Sequence, residues 1–168
     1  MKVIFLDFNG ILDTCVKPNV IDYDNLQRLK QIVIKTNAKI VISSSIKNQF
    51  LITGVYGKVL KSLLEVFVIE GIEVIGMTEM MENREFEITS YLLNHDDITD
   101  FVILEAKEEL STFKDKVVKL QNPNYSEYMG LDDYDVKKAI SILNPPIEEI
   151  KLIKTPKIDK GCGLDDIS

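Results

Sequence analysis

The sequence predicts an α/β domain with a doubly wound, mainly parallel sheet and helices on both faces. Three observations lead there. Short, β-branched apolar runs recur along the chain, and they alternate with segments whose apolar residues fall at helical spacing. The chain has 168 residues, a length that suits one domain with a real core. Strands that alternate with helices need right-handed crossovers, which makes neighbouring strands parallel and covers the sheet on both sides.

Each element follows from its residues. Val3–Leu6 is continuous, apolar and short, as a strand buried on both faces must be. Asp22 can cap a helix over Asp22–Lys35, whose Leu26, Leu29, Ile32 and Val33 share one face. Lys39–Ile42 is a second strand and runs into Ser43-Ser44-Ser45. Leu60, Leu63, Leu64 and Phe67 mark a helix around Lys58–Val68, and Glu73–Ile75 is a short third strand. A helix from about Arg84 to Leu93 turns Ile88, Tyr91 and Leu92 inward. Phe101–Leu104 and Val117–Leu120 are the fourth and fifth strands. The last helix, Asp133–Leu143, has Asp132 as its cap with Asp135 three residues on. Pro145-Pro146 stops it. The domain is therefore expected over residues 1–144, with 145–168 as a partly extended tail. Lys151, Lys154, Lys157 and Lys160 recur every third residue there, either as a solvated tail or as a basic strip for a partner.

Composition excludes several classes of function. Hydrophobic residues make up 45% and charged residues 28%, ordinary for a soluble globular protein. A net charge of -7 argues against a general nucleic-acid coat or an anionic membrane as partner. The first apolar run is too short for a signal peptide, and no stretch is long enough to span a bilayer. Cys15 and Cys162 have no metal-ligand spacing. Free thiols in a reducing, cytoplasmic setting are expected in preference to a Cys15–Cys162 disulfide. His95 is the only histidine; with no cysteine beside it in Asn94-His95-Asp96-Asp97, it reads as a surface residue at a helix end. There is no Walker-type or dinucleotide glycine pattern.

Ligands of parallel sheets bind at the carboxyl ends of the strands, so the polar residues just past each strand matter most. These are Asp7 and Asn9, Ser43 to Ser45, Glu105, and Gln121-Asn122. In Val3-Ile4-Phe5-Leu6-Asp7-Phe8-Asn9-Gly10 a buried strand ends in a carboxylate, and the glycine lets the backbone turn beside a ligand. Such a carboxylate can attack phosphorus or bind Mg²⁺; it can equally be a plain strand-ending Asp in a turn. Lys39-Ile40-Val41-Ile42-Ser43-Ser44-Ser45-Ile46-Lys47 ends in hydroxyls beside a lysine. Hydroxyls, backbone N–H groups and a lysine together suit phosphate oxygens, although three serines alone make an ordinary loop.

Together these segments resemble the haloacid dehalogenase (HAD) superfamily of phosphatases and phosphotransferases. More narrowly, they resemble the small HAD domains found alone or beside RNA-repair modules. The matching places are Asp7-Phe8-Asn9-Gly10-Ile11-Leu12, Ser43-Ser44-Ser45-Ile46-Lys47, Arg84, Glu105 and Gly130-Leu131-Asp132, over roughly residues 1–143. The resemblance implies a HAD-like Rossmannoid fold and a Mg²⁺-dependent phosphatase or phosphotransferase. It makes Asp7 the nucleophile, Ser43 and Ser44 ligands of the phosphoryl oxygens, and Arg84 or Lys47 the compensating cation. Gly10 would let the backbone approach substrate. Asp7, Glu105 and the backbone carbonyl of Asn9 would hold Mg²⁺. Asp13 would support the loop.

Two departures stand out. Asn9 occupies the place of an Asp that serves as general acid and then general base; an amide exchanges no proton. Glu105-Ala106 replaces the usual Asp-Asp, and Glu is one methylene longer. A degenerate module that binds a phosphorylated ligand or protein without turnover is the alternative these changes suggest. No cap domain is apparent, because the Asp7–Ser43 interval holds one turn and one helix, and Ser45–Arg84 about one helix and one short strand. An open site favours a phosphorylated macromolecule, a protein or a nucleic-acid end, over a small metabolite, and the acidic net charge weakens the nucleic-acid option.

Overall fold

The computed structural model describes residues 1–120 and 129–146. Gln121-Asn122, the lysine-spaced tail and Cys162 lie outside the described residues. Ten regular elements follow in order: β1 (Lys2–Leu6), α1 (Tyr23–Thr36), β2 (Lys39–Ile42), α2 (Asn48–Thr53), α3 (Lys58–Glu70), β3 (Val74–Met77), α4 (Arg84–Leu93), β4 (Asp100–Glu105), β5 (Val117–Lys119) and α5 (Asp133–Leu143). The five strands form one parallel sheet in the order β3-β2-β1-β4-β5.

Strand alternation divides the core in two. Ile4, Leu6, Ile40, Ile42, Val102, Leu104 and Val118 face one side and pack with apolar residues of α1, α3 and α5. Val3, Phe5, Val41, Ile103 and Val117 face the other and pack with Ile88 and Tyr91 of α4 and with Leu110. The sheet is thus doubly wound, and β1 is its buried centre. Helix starts follow the expected chemistry: the Asp22 side chain accepts from the Asn25 N–H at 3.0 Å. Asp132 and Asp135 form a reciprocal capping box at α5.

Two predicted details change. The third strand ends at Met77, two residues later than expected, because Gly76 belongs to it. A Cβ at Gly76 would come within 2.6 Å of the Tyr91 hydroxyl, so the sheet needs a glycine there to seat α4. The short helix α2 was not expected; Leu51 and Ile52 are exposed, so it has no apolar stripe to announce it. Between Asp7 and Asp22 the chain makes only turns, and no large cap is present among the described residues. Among the described residues, no helix is long and apolar enough to cross a membrane.

Candidate functional site

Register aligns the strand ends. Leu6 lies beside Ile42 and Leu104, and Ile42 beside Met77. The next residues therefore form a row across four strands: Thr78, Ser43, Asp7 and Glu105. Backbone bonds confirm it, with Ser43 N–H donating to Leu6 O at 3.0 Å, Asp7 N–H to Leu104 O at 3.1 Å and Thr78 N–H to Ile42 O at 3.0 Å. Adjacent strands are about 4.8 Å apart, so Asp7 has Ser43 and Glu105 as immediate neighbours. All four share the alternation of Phe5, Val41, Gly76 and Ile103, and so lie on the α4 side of the sheet. All four are buried.

The loop after β1 is built on Asp13. Its carboxylate, fully buried, accepts from Gly10 N–H at 2.6 Å, Asn19 N–H at 2.8 Å and the Asn9 side-chain amide at 2.9 Å. Asn9 also donates to the Asn19 side chain at 3.1 Å. Gly10 takes a left-handed conformation (φ 85°), which the tight return of this loop requires. Further on, Gly130 (φ 83°) brings its segment onto the loop, with Leu131 N–H donating to Ile11 O at 3.3 Å.

The N-terminus of α4 supplies the facing charges. Arg84 and Glu87 are one helical turn apart, and both are buried. Lys47, only 1% exposed, donates to Glu87 Oε2 at 3.0 Å. Arg84 Nη1 is 3.6 Å from the same oxygen, and Arg84 Nε is 3.8 Å from Glu105 Oε2. Desolvation lowers the Lys47 ammonium below its usual range, while the hydrogen bond and charge of Glu87 push the other way. Burial and the nearby Asp7 carboxylate raise Glu105. Three backbone N–H groups, of Ala106, Lys107 and Glu108, fix Glu105 Oε1 at 3.0, 3.0 and 3.3 Å and leave Oε2 over.

Seven buried side-chain polar atoms lack a hydrogen-bond partner among the described residues, and five lie here: Ser43 Oγ, Ser44 Oγ, Arg84 Nε, Arg84 Nη1 and Glu105 Oε2. Each such group costs about 1–3 kcal/mol, so a cluster of them marks a place where stability is given up. The hydroxyls and guanidinium match an anion. Glu105 Oε2 beside Asp7 matches a cation. Among the described residues, no group of three acidic, His or Cys side chains could hold a metal. Two carboxylates nevertheless fit Mg²⁺, which keeps several waters and takes one or two carboxylates from the protein.

The structure therefore brings together Asp7, Ser43, Ser44, Lys47, Arg84 and Glu105. Arg84 and Glu105, although each lies in a charged stretch of sequence, are both buried at the sheet edge. Asn9 and Gly10 lie in the loop beside them, with the Asn9 amide turned to Asp13. His95 is at the far end of α4, stacked on Tyr91 at 3.9 Å, and takes no part. Cys15 is partly buried and forms no disulfide among the described residues. Sequence reasoning missed Thr78 and Glu87. The signal for Glu87 was present: positions 84, 87, 88 and 91 form one helical stripe, so an inward Ile88 and Tyr91 imply an inward Glu87.

A Rossmann-like parallel sheet with carboxylates ending its first and fourth strands and a serine ending its second defines a HAD-like domain. Sequence comparison narrows the class. Residues 3–136 match the family described as the HAD domain in Swiss Army Knife RNA repair proteins, and the chain belongs to that family. The match takes in every strand from Val3 of β1 onward and every residue of the row. No curated protein and no solved structure matches the chain.

Proposed function

We propose that the chain is a Mg²⁺-dependent phosphatase or phosphotransferase that works through an aspartyl-phosphate on Asp7. The observation that supports this most is the row itself: the buried Asp7 carboxylate, with buried hydroxyls on one side and, on the other, a carboxylate oxygen that has no hydrogen-bond partner among the described residues. Asp7, Glu105 and the Asn9 backbone carbonyl would hold Mg²⁺, which supplies neutralisation of charge between Asp7 and the phosphate. Ser43, Ser44, Lys47 and Arg84 would bind and orient the phosphoryl oxygens. An Asp7 carboxylate oxygen attacks phosphorus, and the bond to the leaving oxygen breaks with its electron pair on that oxygen. Asn9 has no proton to give, so the leaving group takes one from water. Water then attacks phosphorus, the bond from phosphorus to the Asp7 oxygen breaks with its electron pair on the carboxylate, and the proton the water loses passes to solvent as phosphate leaves. The open site fits a phosphorylated protein or nucleic-acid end. The family name places such domains in RNA repair proteins, while the net charge of -7 works against a polyanion. We place the activity in the cytoplasm, with no membrane partner.

A second reading, a phosphate-binding module without turnover, is favoured by one observation: the Asn9 amide is committed to Asp13 and Asn19. Hydrolysis of an aryl phosphate with Mg²⁺, compared with Asp7→Asn, separates the two. Turnover lost in the variant, with an acid-quenched phosphate adduct on Asp7, supports the enzyme. Turnover unchanged in the variant sinks it. Phosphate binding by calorimetry without turnover favours the second reading.

A further inference from the structure

We propose that Glu87 is the positioning residue of this site, a carboxylate that holds Lys47 and Arg84 side by side for one anion. The inference rests on the phosphate-handling reading above and adds a residue to it. A single oxygen, Glu87 Oε2, receives the Thr78 hydroxyl at 2.9 Å and the Lys47 ammonium at 3.0 Å, with Arg84 Nη1 at 3.6 Å. Thr78 is itself in the row, fully buried and tied by its N–H to β2. The position of that oxygen is thus referenced to the same sheet edge as Asp7.

The arrangement answers a physical problem. Lys47 and Arg84 are like charges that meet away from water, and each repels the other. Both are needed close together only if an anion is to sit against both. Glu87 offsets that repulsion from behind, and its hydroxyl anchor stops it from following either cation. The groups that face Lys47 are Glu87 and Arg84 from α4 and Asp7 just past β1. A plain stabilising ion pair is a poorer explanation, because a buried pair is often no more stable than apolar residues of the same size. It would also leave unexplained why Arg84 Nε and Nη1 lack hydrogen bonds among the described residues.

The sign of one effect makes the proposal testable. If Glu87 acted only by its charge, removing it from an anion site would tighten anion binding. If it acts by placement, removing it weakens binding. Calorimetry with inorganic phosphate and Mg²⁺ on the wild type, Glu87→Gln, Lys47→Met and the double variant reads this directly. Glu87→Gln keeps the volume and an oxygen for Thr78. We expect it to weaken phosphate binding about 10-fold, the size usual for groups that orient ligands. In the Lys47→Met background the same change should cost less than about twofold, since the two act as a unit. Thr78→Val changes no charge and should weaken binding several-fold, again only when Lys47 is present; it also serves if Glu87→Gln folds poorly. Tighter binding in Glu87→Gln, or equal effects in both backgrounds, overturns the proposal while the phosphate reading stands. A wild type that neither binds phosphate nor hydrolyses phosphomonoesters overturns both.

Discussion

The two ends of the sheet treat polar groups differently. At the amino end they are paired. The Met1 amino group donates to the Asp97 carbonyl, Thr99 returns its N–H to the Met1 carbonyl at 2.8 Å, and His95 Nδ1 meets the Tyr91 carbonyl at 2.7 Å. Lys39 pairs with Glu73, and Lys116 with Asp100. At the carboxyl end, more deeply buried groups of Ser43, Ser44, Arg84 and Glu105 have no partner among the described residues. The same strands carry both ends, so strand chemistry is not the cause. A fold tolerates unmet hydrogen-bonding capacity where a ligand completes it, and the comparison points to the residues of the proposed site without reference to any family.

The largest expected effect comes from Asp7. Asp7→Asn keeps the oxygen that accepts the Phe8 N–H at 2.9 Å and removes a charge that raises Glu105. Turnover should fall on the order of 10⁴–10⁶-fold, the range for losing one member of a catalytic group, while the thermal melt stays within a few degrees. A melt lowered by many degrees would make Asp7 structural and erase the contrast between the ends. Glu87→Ala should show the reverse balance. It strands the buried Lys47 ammonium without its partner, a loss of about 3–5 kcal/mol, read as a shifted urea midpoint. A midpoint unchanged by this substitution would show that Lys47 does not depend on Glu87.

The fold was largely legible because its signals are local. Short apolar runs and capped amphipathic helices need no knowledge of the rest of the chain, and Asp22 and Asp132 cap as expected. Asp7 and Ser43 were legible because each ends a strand. Thr78 was hidden by Gly76, which interrupts the apolar run although the strand continues through it. Glu87 was hidden by its neighbours, since Glu85 and Glu87 look alike in a charged turn. Only the helical phase against Ile88 and Tyr91 separates the half-buried Glu85 from the buried Glu87. Unpaired groups such as Glu105 Oε2 are not legible at all, because partnership is decided by tertiary contacts.

A shifted carboxylate alone does not mark a site, and Asp135 tests that distinction. Desolvation raises it to about 6, yet it accepts the Asp132 N–H at 3.0 Å in the α5 capping box and is structural. A carboxyl whose folded value is raised contributes stability that is fully present below its unfolded value of 3.8 and is lost as pH rises through about 6. From pH 7 to pH 5 the wild type should therefore gain roughly 1 kcal/mol from this group. Asp135→Asn should lack that gain. The difference between the two urea midpoints at each pH isolates the effect, and a constant difference would refute it.

The smallest effect, and the most instructive, concerns Asn9. An Asp at this place would supply the missing acid, and positioned groups of that kind contribute on the order of 10²–10⁴-fold. The loop argues against so large a gain here. The Asn9 amide donates to Asp13, whose buried carboxylate already accepts from Gly10 and Asn19. Asn9→Asp sets one carboxylate against another, and a shared proton or a rotation away from the site follows. The single change should therefore raise turnover of an alkyl phosphomonoester no more than about threefold. Combining it with Asp13→Asn reverses the hydrogen bond, with the new amide donating to the new carboxylate, and keeps one oxygen for the loop backbone. That pair should exceed the single variant, most clearly on poor leaving groups, which need the proton. A gain of 10² or more from Asn9→Asp alone would show that Asp13 does not hold position 9. No gain from either, with Mg²⁺ still bound, would move the defect to Glu105-Ala106 and favour the binding module.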